Sequence, residues 1–199
     1  MSDEPGILRL FIAVELPANV RQRLADLADQ LRGMGLERLR WVRPENIHIT
    51  LKFLGETPAE RQPQIEDALR AAAEGVAPHE LTLGELGKFG GRQNPRVLWV
   101  DVRGDVDALK ALHKRVDARM IAALGFPADE RPFAAHLTLA RVPQDLARKV
   151  ARPLAEAIDA VKVPDPPIPV RQVVLMRSEL RREGPVYTRL CGVELRPSG

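Results

Sequence analysis

Two short segments of this chain carry residue types that move protons. Residues 43–51 read RPENIHITL and residues 131–139 read RPFAAHLTL. Both follow one pattern, Arg-Pro-x-x-x-His-aliphatic-Thr-Leu, and they hold His48 and His136, two of the four histidines. Side chains alternate between the faces of a strand. His48, Thr50 and Lys52 therefore share one face, and Ile47, Ile49, Leu51 and Phe53 share the apolar one. The second segment sets His136 and Thr138 against Ala135, Leu137 and Leu139. Each strand offers an imidazole beside a hydroxyl on the side away from the core. Imidazoles titrate near neutrality, so one histidine suits removal of a proton from water and the other protonation of a leaving oxygen. Two hydroxyls between them suit the non-bridging oxygens of a phosphate. The set fits in-line displacement at phosphorus, where positioning and electrostatics dominate. A zinc site is poorly matched, because no Cys cluster, third His or His-Glu-x-x-His accompanies the pair.

The elements that must position these strands come in two sets. The histidines lie 88 residues apart, and sliding the chain by that offset aligns like with like. Strand-like LRLFIAV (8–14) falls on RVLWVDV (96–102). The helical stripe Val20, Leu24, Leu27, Leu31 falls on Leu109, Leu112, Val116, Met120. Helical 58–73 falls on 146–161, with Pro63 and Pro153 expected at helix starts or kinks. Strand 81–86 falls on 169–174, and 97–102 falls again on 185–190. The reading is one bilobal α+β domain over residues 1–199, in two pseudo-symmetric lobes related by a pseudo-twofold axis. One His strand belongs to each lobe, and the two histidines converge on one site.

Bulk properties agree with an ordinary folded protein: 199 residues, 45% hydrophobic, 29% charged, net charge +3. Six lysines against 24 arginines favour a phosphate-bearing partner, although biased Arg usage would give the same count. Cys191 is the single cysteine, which excludes an internal disulfide. The apolar run 7–14 is interrupted by Arg9 and is too short to span a bilayer, so a cytoplasmic protein without a membrane partner is expected.

The chain resembles the two-histidine (2H) phosphoesterases. HITL and HLTL match their paired His-x-Thr motifs, in the surroundings LRLFIAVELP, NIHITLKFLGE, PRVLWVDV, RPFAAHLTLAR and GPVYTRL. The match is nearest to the RNA 2′,3′-cyclic phosphodiesterases, also called 2′-5′ RNA ligases, and covers nearly the whole chain. The resemblance implies the bilobal fold of that family, two pseudo-symmetric lobes with antiparallel sheets around a central cleft. It implies His48 as general acid to the leaving 3′ oxygen and His136 as general base to water. Sequence symmetry alone leaves those roles exchangeable. Thr50, Thr138 and Arg141 would bind phosphate oxygens, the product would carry a 2′-phosphate, and neither metal nor nucleotide cofactor is implied. Phe11 and Tyr187 match positions near the nucleobase, where an aromatic face can stack on a base, although Phe11 reads equally as a core residue.

Arg141 has the wrong parity for the cleft unless its strand bends near Ala140. Lys52 has the right parity and is expected to line the cleft. Arg43 and Arg131 precede prolines that fix the entry to each His strand, and are candidates for bridging loops or for touching RNA phosphates. The basic connections 88–96 and 177–184 are candidates for guiding RNA or for plain solvated turns. His79 and His113 lack Thr at +2, and His113 is expected on an exposed helix face. The partner is RNA with a 2′,3′-cyclic phosphate end, tRNA fragments among the candidates, bound by a monomer. Rival functions are the reverse reaction, 2′-5′ ligation, and an RNA-end binding module without turnover.

Overall fold

A computed structural model describes residues 6–129, 132–182 and 184–197. Eleven strands and four α-helices are found among them, and Arg131 lies outside them. In chain order they are β1 (Ile7–Glu15), α1 (Ala18–Leu31), β2 (Arg40–Trp41), β3 (His48–Pro58), α2 (Gln62–Ala73), β4 (Glu74–Gly75), β5 (His79–Gly91), β6 (Asn94–Gly104), α3 (Val106–Leu124), β7 (His136–Arg141), α4 (Ala147–Ala160), β8 (Pro167–Val170), β9 (Gln172–Arg181), β10 (Gly184–Glu194) and β11 (Arg196–Pro197). The apolar stripes of α1 and α3 are buried as their spacing demands. Gly125, at φ 66°, closes α3 in the left-handed conformation that only glycine adopts without strain. Pro63 sits in the first turn of α2, whereas Pro153 lies inside α4.

Two sheets form the lobes, in the orders β10-β9-β1-β3 and β2-β7-β6-β5-β8. Their principal pairings are antiparallel. The α+β bilobal architecture expected from sequence is present, but the lobes are not the two halves of the chain. β9 and β10 complete the sheet of β1 and β3, while β5 joins β6 and β7. The helices divide in the same way. α2 and α3 pack together and back the first sheet, and α4 lies on β5 and β6 of the second. One buried apolar cluster, from Leu10 and Ile49 to Leu98 and Leu137, runs through both lobes. Neither half of the chain has a core of its own. β3 ends the first sheet, and β7 is covered beyond β6 only by the two-residue β2. The two His strands pack against each other where the lobes meet.

Strict alternation fails in both His strands at the same place. Ala13 pairs with Thr50 and Ile12 with Lys52, so Leu51 is an extra residue in β3. Trp99 pairs with Thr138 and Leu98 with Ala140, so Leu139 is the extra residue in β7. Such a bulge bends the strand and changes which face the following side chains take. Lys52 is thereby turned under the sheet, only 2% exposed, and Phe53 is turned out, 65% exposed. This corrects two expectations: Lys52 does not line the cleft, and Phe53 is not a core residue. The Lys52 ammonium donates to Asp117, to the Pro127 carbonyl at 2.9 Å and to Asp129 at 3.3 Å. His113 is also buried rather than exposed, with its Nε2 3.1 Å from the other Asp129 oxygen.

A buried charge is tolerable only while its partners remain. Lys52→Ala strands two carboxylates with no cation between them. Urea denaturation should show a loss of about 3 kcal/mol, in the range for breaking a buried pair. A variant as stable as the parent would remove this ionic anchor from the account of the fold.

Candidate active site

His48 begins β3 and His136 begins β7. Each ring is held in the same way. His48 Nδ1 lies 2.7 Å from the Asn46 carbonyl, and His136 Nδ1 lies 2.8 Å from the Ala134 carbonyl. A carbonyl only accepts, so each Nδ1 carries its hydrogen and donates. Each Nε2 is then left with the lone pair or the transferable proton. Thr50 and Thr138 follow at +2, before the bulges, and so share a face with their histidines. The bulge at Leu139 resolves the parity of Arg141: Leu139 and Ala140 are both buried, and Arg141 emerges exposed on the His136 side.

Aromatic rings set the walls. Phe11 stacks on His48 with centroids 4.8 Å apart, and Tyr187 meets both rings edge-on, 4.9 Å from Phe11 and 5.4 Å from His48. Phe11 is only 2% exposed. It has no free face for a nucleobase, so of its two expected roles, base contact or core, the burial favours the core, where Phe11 packs on the His48 ring. Phe89 and Trp99 flank His136 at 4.9 and 6.3 Å and touch each other at 5.2 Å. Gly87 is required beneath this pair, because a Cβ there would fall 2.3 Å from the Trp99 ring.

Phe53 and Phe89 are the exposed aromatic residues of the site that sequence reasoning missed. A bulge hides Phe53 from any parity argument, and Phe89 falls in a segment that reads as a turn. The basic connections are mostly strand, since β5 and β6 run to within two residues of each other. Asn46 was also missed. Its side-chain amide donates to the Pro185 carbonyl at 2.8 Å and pins the backbone that holds His48. Arg43 is extended ahead of Pro44, and its carbonyl accepts from the Asn46 amide at 2.8 Å.

Burial holds the His48 imidazole below the ordinary histidine value. The bond to Asn46 opposes this, and the charge of His136 adds to the lowering. The two imidazoles therefore sense each other across the lobes. Burial pushes the Tyr187 phenol up, against the guanidiniums of Arg141 and Arg9, so it stays a protonated donor near neutrality. Among the described residues, no group of three or more His, Cys, Asp or Glu is placed to hold a metal ion, and no helix is long and apolar enough to cross a membrane.

The family model for LigT-like phosphoesterases matches this chain twice, at residues 14–99 and 100–187. The chain belongs to that family. Among relatives in the family is an RNA 2′,3′-cyclic phosphodiesterase of Methanothermobacter thermautotrophicus, 31% identical over 181 residues, covering 91% of this chain and 95% of that one. Another, from Geobacillus stearothermophilus, is 34% identical over 93% of this chain, which spans 56% of that longer protein. Of the solved structures, TT0787 of Thermus thermophilus superposes with a TM-score of 0.76 at 31% identity, over 96% of this chain and 100% of that one. LigT of E. coli complexed with 3′-AMP gives 0.73 at 27% identity, over 96% and 99%.

The coupling between the imidazoles can be read by NMR titration. His48 should titrate below 6.5, its ordinary value. His136→Asn removes a positive neighbour, so the His48 pKa should rise. It should stay below 6.5, because burial is the larger cause. An unchanged His48 pKa would mean that the two rings do not interact.

Proposed function

We propose that this chain is an RNA 2′,3′-cyclic phosphodiesterase, opening the cyclic phosphate to a 2′-phosphate by metal-independent acid–base catalysis. The observation that carries the mechanism is the matched pair of imidazoles, each tied at Nδ1 to the carbonyl two residues earlier, which leaves each Nε2 for proton transfer. The named activity of the family relatives supports the reaction. The roles of acid and base are those that the family resemblance implies, and the matched hold on the two rings supports proton transfer at each Nε2. His136 Nε2 takes a proton from water as the water oxygen bonds to phosphorus. The P–O3′ bond breaks, and His48 Nε2–H donates to the departing 3′ oxygen. The ends are a 3′-hydroxyl and a 2′-phosphomonoester. The Thr50 and Thr138 hydroxyls donate to the non-bridging oxygens, and Arg141 balances their charge. Tyr187 and the exposed Phe53 offer ring surface beside the His48 half of the site. Action on tRNA fragments, by a monomer in the cytoplasm, belongs to the same proposal.

The lowered His48 pKa bears on its role as acid. The free protein holds His48 mostly neutral at pH 7, with its proton on Nδ1. A bound phosphate anion favours the charged imidazole and raises its pKa. The basic limb for kcat should therefore lie at higher pH than that for kcat/KM. Coincident limbs would argue against His48 as the acid.

The direct test is a short RNA ending in a 2′,3′-cyclic phosphate, incubated in excess chelator. A 2′-phosphate should accumulate, and His48→Ala and His136→Ala should each lower kcat by about 10²–10⁴ with RNA binding retained. Turnover that needs a divalent ion, or a 3′-phosphate product, would overturn the mechanism. Binding by the parent protein with no turnover would make the cleft an RNA-end binding module.

A further inference from the structure

The two halves of the site hold their histidines with the same bond but anchor that bond differently. At His48 the accepting carbonyl belongs to Asn46, whose side chain is fastened to the Pro185 carbonyl of β10. At His136 the accepting carbonyl belongs to Ala134, which has no side-chain polar group. The chain from the end of α3 to β7 has no regular secondary structure among its described residues.

The ties on this segment come from the opposite lobe. Lys52 lies two residues beyond Thr50 in β3, and its buried ammonium holds the Pro127 carbonyl and Asp129 while Asp117 of α3 braces it. The other oxygen of Asp129 accepts from His113 Nε2 at 3.1 Å. His113 stacks on Phe133, with centroids 4.2 Å apart and planes 14° apart. Phe133 is the residue before Ala134. An unbroken series of contacts thus runs from the His48 strand to the residue whose carbonyl accepts the hydrogen bond from His136 Nδ1. The residue 88 positions after Lys52 is Ala140, so the arrangement exists on one side only.

We propose that the buried cluster of Lys52, Asp117, Asp129 and His113 is a positioning device. It locks the approach to β7 through Phe133 and so holds His136 of the other lobe in its Nδ1–H tautomer. His113 and Phe133 are then positioning residues for the proposed base, and this assignment of purpose rests on the reading of His136 given above. The device makes the His48 strand a support for the His136 half-site. Chemistry at one histidine becomes conditional on the packing of the other.

The test uses long-range ¹H–¹⁵N correlation spectra of the ring nitrogens, which report each tautomer without any substrate. In the parent protein both His48 and His136 should be Nδ1–H. His113→Ala should move His136 towards a mixture of tautomers and leave His48 unchanged. With the cyclic-phosphate RNA, kcat should fall about tenfold at nearly constant KM, as for a misplaced catalytic group. Phe133→Ala should do the same while leaving the buried ion cluster intact, and it carries the test if His113→Ala does not fold. The proposal is overturned if His136 stays wholly Nδ1–H in a folded variant, or if both rings change together as in general loosening. An inactive parent protein would count against the phosphodiesterase reading alone, because the tautomer result stands without turnover.

Discussion

An imidazole works as a one-proton shuttle at Nε2 only if its Nδ1 is committed elsewhere. Here that commitment is a hydrogen bond of 2.7 or 2.8 Å to a carbonyl two residues earlier. The carbonyl precedes the strand, so the backbone leading into each strand must be immobile. Much of the surrounding structure meets that requirement. Asn46 reaches across to β10, Lys52 and His113 reach the segment before β7, and Phe11 packs on the face of the His48 ring. Most of these contacts join parts of the chain far apart in sequence. The same packing excludes water from His48, which is why its proton affinity falls.

A second constraint comes from the bulges. A regular strand places His, Thr and the fourth following residue on one face, as 48, 50 and 52 would be. The extra residues Leu51 and Leu139 end that register just beyond the threonines. The same distortion has different consequences in the two lobes. In one it buries a lysine and exposes Phe53. In the other it buries Ala140 and exposes Arg141. The cleft gains an aromatic surface on the His48 side and a cation on the His136 side from one backbone device. The two halves of the site thus differ in chemistry although their histidines are held alike.

The exchange of strands between lobes explains how the halves stay aligned. β9 and β10 complete the first sheet, and β5 completes the centre of the second. Separating the two halves of the chain would break both sheets, and separating the lobes would open the shared core. The juxtaposition of β3 and β7 is therefore fixed by whole-molecule packing, which gives acid–base chemistry across an interface its geometric tolerance.

Much of this was legible in the residues. The paired His-x-Thr segments, the helical stripes and the 88-residue offset are local patterns set by side-chain periodicity, and periodicity is a property of sequence. They led to the bilobal α+β fold and to the strands that carry His48, Thr50, His136 and Thr138. The positions of Lys52, Phe53 and Arg141 were not legible in the same way. Their orientations depend on bulges, and a bulge is decided by the partner strand's register. The burial of His113 depends on Asp129 and Phe133 folding back over α3, and no spacing within α3 announces it. Sequence alone determined which residues are the candidates for chemistry and on which kind of element they sit. Tertiary structure alone decided which way each side chain points beyond the bulges and what holds each imidazole, because those outcomes are set by contacts between segments distant in the chain.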